Sequence, residues 1–522
     1  MRAPDIESWD LKQVVGQLFS VSVGHHADGG YKVADTVETV ASLVAERHVG
    51  GICYFPAGPD GATPQRIREV VAELQAASEV PLLIAIDQEG GLVTRMREPA
   101  TRWPSAMAQA AGGDWDAVRE IARMSASELR AVGALHPFTP VADVNIEPNN
   151  PVIGIRSASS SPHVVADYVR AVIAGIAEAG SASCVKHFPG HGNVAVDSHH
   201  GLPVLATSVE DWEAAEAVPF RAAIKAAVDA VMIGHLCMPA VDSSGAPATF
   251  SRPIVTDLLR GRLGYDGLVV TDALDMAGAA YPGGPGAACV AALRAGIDQL
   301  LMPRDPADCI DTVLAAVRSG ELDEAQLRRS AERVVALKAK LAAATLTPAE
   351  HDPAAVAAAA IGRSLTWRNP GCTFALSPGA PVTIITDELP PSVGRGVEVV
   401  PAALASELMA RGHACRITAL ESSDTSGARI LITRDAWRFP EVAAQVSGLE
   451  DIACAIAARS PYDAALLADD VPMLLAYGDI PGLAAALAVA LTRGEATGQL
   501  PVDLPDASGQ IRWPRRLEAT HD

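Results

Sequence analysis

The chain has 522 residues, 49% hydrophobic and 20% charged, with 41 Lys and Arg against 62 Asp and Glu. That length exceeds what one hydrophobic core usually supports, so two domains are expected, and so apolar a composition excludes a disordered protein. The net charge of −21 disfavours nucleic-acid partners and a polybasic membrane anchor, which both need clustered Lys and Arg.

The opening stretch through Gln17 carries charges early and has no uninterrupted apolar core, so it does not read as a secretory signal. The most apolar run, Leu483–Leu491, is too short to span a membrane. The eight cysteines include no CxxC pair and mostly sit in apolar settings, as buried thiols do. A cytoplasmic protein with no membrane partner is expected.

Eight short apolar runs follow one another along the first 320 residues: Val14–Val23, Gly51–Phe55, Leu82–Asp87, Phe138–Val144, Ser183–Phe188, Ala230–His235, Gly267–Asp272 and Ile297–Met302. Stretches with apolar spacing near 3.6 separate them, among them Val37–His48, Trp115–Val132, Val164–Ala179 and Cys309–Val317. Strands alternating with helices imply parallel pairing, and eight such units predict a (β/α)₈ TIM barrel, with a doubly wound open sheet as the alternative. A long helical pattern from Leu322 to Ala343 closes this region, and Pro348 and Pro353 then break the periodicity. Alternation resumes near Pro381, predicting a smaller α/β sandwich with an open, mostly parallel sheet. The expected division is a catalytic barrel at 1–345, a linker at 346–370 and the second domain at 371–522.

The carboxyl ends of barrel strands face the mouth where such enzymes work. Five consecutive runs end in ionisable residues: Asp87, Asp143, Lys186-His187, His235 and Asp272. A polar residue after one strand is commonplace, but five in succession point to an active site. The segment Lys186 to His200 holds four histidines, a lysine and an aspartate in a Gly/Pro-rich loop. A zinc site is one reading, although the spacing fits neither the helical metalloprotease pair nor a finger. A structural loop with histidines capping backbone groups is another. Acid/base and sugar-binding work is the reading the residues favour. Asp197 stands two residues before His199, where a carboxylate can orient and charge-stabilise an imidazole that donates protons near neutrality.

The segment Lys186–Gly192 (KHFPGHG), followed by Asp197-Ser198-His199, resembles the signature of the bacterial β-N-acetylglucosaminidases of glycoside hydrolase family 3. Asp87–Gly91 (DQEGG), Asn150–Ser157 (NPVIGIRS) and Gly267–Met276 (GLVVTDALDM) resemble further family segments, in family order over roughly residues 10 to 345. The resemblance implies an exo-acting, retaining β-N-acetylglucosaminidase acting on a small-molecule glycoside, plausibly in cell wall recycling, with no cofactor and no metal. It implies Asp272 as nucleophile and His199 as general acid/base held by Asp197. Asp87, Arg156, Lys186 and His187 would bind sugar hydroxyls, His235 would wall the site, and Met276 would pack against the acetamido methyl. Leu92 stands where some members carry Arg, and Asn193 where an acidic residue is usual, which leaves the aglycone side open.

Competing readings keep the same residues. A phosphorylase would use the same intermediate with phosphate as acceptor, since a neutral imidazole repels that anion less than a carboxylate would. A silent sugar-binding scaffold needs the nucleophile or dyad to be missing, and both are present. A plain β-glucosidase or xylosidase is disfavoured, because such members generally lack the Asp-Ser-His dyad.

Overall fold

The computed structural model describes residues 6–23, 37–56, 58–198, 201–345, 351–386, 400–421, 426–506 and 509–520. Eight strands carry the first domain: β1 (Phe19–Val23), β2 (Gly51–Tyr54), β3 (Leu83–Ile86), β4 (His136–Pro137), β5 (Cys184–Phe188), β6 (Ala230–Ile233), β7 (Leu268–Thr271) and β8 (Leu300–Leu301). Every residue of these strands is buried, which explains why they read as continuous apolar runs rather than alternating ones. All their ladders are parallel, in the orders β8-β1-β2-β3-β4 and β5-β6-β7. Bridges between Val141 and Lys186 and between Val270 and Gln299 join the two groups at both seams, so the sheet closes on itself as a barrel. The open-sheet alternative is thereby excluded.

Two runs differ from their sequence reading. Val14–Val23 divides into a helix, Leu11–Gln17, and β1; Asp10 and Gln13 form a capping box at the helix start. Both halves are buried, so no change of polarity marks the junction. The fourth run was expected over Phe138–Val144, but the ladder strand is His136–Pro137. The following residues still track β5, with Cys184 N–H donating to the Thr139 carbonyl at 3.0 Å and Ala142 N–H to that of Lys186 at 2.7 Å. Pro140 has no N–H to give, so this stretch is hydrogen-bonded without becoming a regular strand.

The helix Glu324–Ala343 lays Val334, Leu337 and Leu341 against Leu83, Cys184, Ala230 and Leu268, the first residues of four strands. The amino end of the barrel is therefore plugged with apolar side chains, and the carboxyl end is left for chemistry.

The second domain has β9 (Thr366–Trp367), β10 (Val382–Thr386), β11 (Cys415–Ala419), β12 (Ala428–Thr433), β13 (Cys454–Ala457) and β14 (Met473–Leu475), in the order β9-β14-β13-β12-β10-β11. Only β9 runs antiparallel to its neighbour. Helices Val400–Ala410 and Leu483–Arg493 cover one face. The other face packs Leu431, Tyr462 and Tyr477 against Met107, Ala108 and Ile155 of the barrel domain. The segment expected as a linker, 346–370, contains a helix at Pro353–Ser364 and then β9. Pro353 occupies the first turn behind the Asp352 cap, where its missing N–H is no loss. Hydrogen bonds also tie the domains, from Ser105 Oγ to the Tyr477 carbonyl at 2.6 Å and from Gln499 N–H to that of Ala111 at 2.8 Å. Among the described residues, no helix is long and apolar enough to cross a membrane. Six of the eight cysteines are buried, and Cys372 and Cys415 are half-buried.

Candidate active site

A cavity of about 590 Å³ opens at the carboxyl ends of the barrel strands. That volume suits one or two small rings. Asp87, Arg156, Lys186, His187, Asp197 and Asp272 all line it, together with Met276. Residues as far apart in the chain as Asp87 and Met276 thus meet at the mouth of one ring of strands.

Four ionic side chains form the floor. Lys186 Nζ lies 2.8 Å from Asp87 and 2.6 Å from Glu89, and Arg156 grips Glu89 through two bonds of 2.8 and 2.9 Å. Arg95 adds a contact of 3.5 Å to Asp87 and lies over the Phe55 ring. Burial alone would raise both carboxyls, but the neighbouring cations outweigh it, holding Asp87 below its usual range and Glu89 at about 2. The floor therefore stays fully charged at neutral pH, presenting fixed acceptors and donors to the cavity.

Asp143, fully buried, organises the adjoining loop. One carboxylate oxygen accepts the His191 backbone N–H at 2.6 Å, and the other lies 2.7 Å from His187 Nδ1. Against burial, these contacts hold Asp143 in its charged form, so Nδ1 carries the proton. His187 Nε2 faces Arg156 Nη2 at 3.5 Å. His191 is held neutral, its pKa pushed down to about 4 chiefly by burial, and its Nε2 meets Ser198 Oγ at 3.0 Å.

Asp272 follows β7; its N–H donates to the Ile233 carbonyl at 2.9 Å, and its carboxylate accepts from Ala273 N–H at 2.8 Å. Asp275, its neighbour in sequence, does not line the cavity, and its carbonyl is held by Arg304. The Asp197 loop docks on the Asp272 loop through Gly278 N–H donating to the Ser198 carbonyl at 3.0 Å. A Cβ on Gly278 would stand 2.9 Å from that oxygen and 3.0 Å from His235 Cβ, so the approach requires glycine. His199 lies outside the described residues.

His235 needs correcting. It is fully buried and does not line the cavity; Nε2 lies 2.9 Å from the Ala273 carbonyl, and Nδ1 lies 2.7 Å from Thr249 Oγ1. A carbonyl only accepts, so Nε2 carries the proton, and the ring supports the Asp272 turn from behind. Position at a strand end does not fix orientation: a side chain after a strand can turn outward as readily as into the mouth. Asn193 also lies off the cavity, bonding Glu216 and Thr207.

Glu89, Arg95 and His191 line the site although none was singled out individually from the sequence; Glu89 and His191 lie within segments that were. Glu89 had a signal, as a second acid two residues past a strand end. The loops 435–439 and 459–462 of the second domain form the opposite wall; the segment 458–463 resembles the family's second domain in sequence, but nothing in the sequence placed it at the site. Among the described residues, no group of three or more His, Cys, Asp or Glu side chains could hold a metal ion.

Residues 10–337 match the glycosyl hydrolase family 3 N-terminal domain. A β-hexosaminidase from Thiobacillus denitrificans is 40% identical over 275 residues, covering 51% of this chain and 74% of that protein. β-Hexosaminidase A from Pseudoalteromonas piscicida is 37% identical over 332 residues, and the match spans 58% of this chain and only 55% of the relative. The solved structure of a family 3 β-N-acetylglucosaminidase from Paenibacillus sp. superposes with a TM-score of 0.84 at 33% identity, covering 95% of this chain and 99% of that one. The chain belongs to glycosyl hydrolase family 3 and is a glycoside hydrolase.

Proposed function

We propose that the chain is an exo-acting, retaining β-N-acetylglucosaminidase. The observation that carries this reading is the meeting of Asp272, the Asp197 loop and the Asp87–Lys186–Glu89–Arg156 floor in one cavity. The names of the relatives at 33–40% identity support the choice of sugar.

In this reading the floor binds the hydroxyls of the terminal sugar, and Met276 lies along the acetamido methyl. An Asp272 oxygen attacks the anomeric carbon as the bond from that carbon to the leaving oxygen breaks, and His199 gives that oxygen its proton. The products of this half are a glycosyl ester on Asp272 and a free alcohol. His199, now neutral, takes a proton from water; the water oxygen attacks the anomeric carbon, and the Asp272 carboxylate leaves. Two inversions give net retention. Asp197 holds the imidazole and favours its charged form.

Proton NMR of the first-formed sugar from an aryl β-N-acetylglucosaminide tests the reading. The β-anomer is expected first; an α-anomer first would overturn the covalent route. The same assay in phosphate buffer should leave rate and product unchanged. Accumulation of N-acetylglucosamine 1-phosphate would replace the hydrolase with a phosphorylase.

A further inference from the structure

The loop that brings Asp197 to the cavity is held at the next residue, Ser198, from two sides. Gly278 N–H donates to the Ser198 carbonyl at 3.0 Å, and His191 Nε2 meets Ser198 Oγ at 3.0 Å. Ser198 is buried, so water competes little for either contact. In the chain it stands between Asp197 and His199.

His191 is itself fixed from the barrel side. Its N–H donates to Asp143 at 2.6 Å, and its carbonyl accepts from Asn150 Nδ2 at 2.7 Å. Asn150 is pinned in turn, because its Oδ1 accepts the N–H groups of Val152 and Ile153 at 2.9 and 2.8 Å. The next residue has no room to shift, since a Cβ on Gly192 would collide with the Val144 carbonyl. Asp143 also holds His187 in the cavity wall, so one buried carboxylate sets both that ring and the base of His191.

The imidazole has one polar use in this place. Its Nδ1 has no hydrogen-bond partner, which leaves Ser198 as the partner of the ring among the described residues. An apolar ring would fill the same space without an unpaired buried nitrogen, so stability does not account for a histidine here.

We infer that His191 is a positioning residue for the acid/base step: by its grip on Ser198 it fixes the loop from which Asp197 and His199 act. The inference rests on the N-acetylglucosaminidase reading, in which His199 protonates the leaving oxygen, and it assigns His191 an action through Ser198 rather than on the sugar.

A leaving oxygen of high pKa depends on that proton, whereas 2,4-dinitrophenolate leaves without it. The experiment measures kcat/KM, which reports the first half of the reaction, for phenyl and 2,4-dinitrophenyl β-N-acetylglucosaminide. In Ser198→Ala and in His191→Ala the phenyl value should fall about tenfold, as for one lost hydrogen bond, with the dinitrophenyl value kept within about twofold. His191→Gln keeps a polar nitrogen near the place of Nε2 and should restore most of the phenyl value. The double variant Ser198→Ala/His191→Ala should be little slower than either single one, because the same contact is lost in all three. Equal losses on both substrates would make the contact merely structural and overturn the inference. No loss on either substrate overturns it too, as does a double variant slowed by the product of the single losses. If His191→Ala does not fold, Ser198→Ala, which removes one oxygen, decides alone. A wild-type chain silent on both substrates overturns the underlying reading instead.

Discussion

The two walls of the cavity are built on opposite principles. The barrel side is a buried lattice of opposite charges, in which Arg156 and Lys186 each lie within a hydrogen bond of a carboxylate. The second-domain side is a loop platform, aromatic and partly exposed, whose arginines are less completely neutralised. Displacing any member of the first leaves a buried charge unpaired. The two walls come from different domains, although one cavity joins them.

The comparison breaks most sharply at Asp272. Asp272→Ala should lower kcat on aryl N-acetylglucosaminides on the order of 10⁴-fold, whereas no single change in loop 435–439 should approach that loss. Steady-state rates on a substrate with a good leaving group check both halves.

The next largest effect concerns the floor. Glu89→Gln leaves Arg156 and Lys186 without a shared counterion and should destabilise the barrel by about 3–5 kcal/mol, read by denaturant unfolding. The pH dependence has a definite sign. Glu89 has a folded pKa of about 2 against an ordinary 4.5, so its contribution is fully present above about pH 4.5 and is lost as pH falls towards 2. The wild-type chain should therefore lose stability across that window faster than Glu89→Gln. Parallel curves would show that the lattice does not hold the floor.

A smaller effect is expected where the two catalytic loops touch. Gly278→Ala places a methyl 2.9 Å from the Ser198 carbonyl, which should shift the Asp197 loop and lower kcat by roughly 10²-fold with the fold retained. Circular dichroism and kcat measured together check it. The smallest change is at the seam between the walls. Asn145 Nδ2 donates to the Tyr462 hydroxyl at 3.2 Å, and Tyr462→Phe should cost about 1 kcal/mol, seen in thermal unfolding, with little change in kcat.

Much of the barrel side was legible in the sequence because its logic is local. A buried parallel strand reads as an apolar run, and the residue that ends it stands at the mouth, which located Asp87, Lys186, His187 and Asp272. Legibility stopped where orientation, not position, decides. His235 ends a strand like the others but turns behind the Asp272 loop to meet Ala273 and Thr249. Pro353 looks like a break in the sequence and serves as the first turn of a helix. The second wall was illegible for another reason: Trp437 and Arg438 lie some 165 residues beyond Asp272 in the chain, and tertiary packing between the domains, with Tyr462 against Met107 and Ile155, brings them to the same cavity.

The central claim is that Asp272 becomes covalently glycosylated. A His199→Gly variant lacks the group that activates water, so the ester should accumulate from an activated aryl N-acetylglucosaminide during a rapid-quench experiment. Peptide mass spectrometry should then find one N-acetylglucosaminyl group on the peptide spanning 268–277, with fragmentation placing it on Asp272. An adduct on Asp275, or turnover with no adduct at any time, would contradict the account.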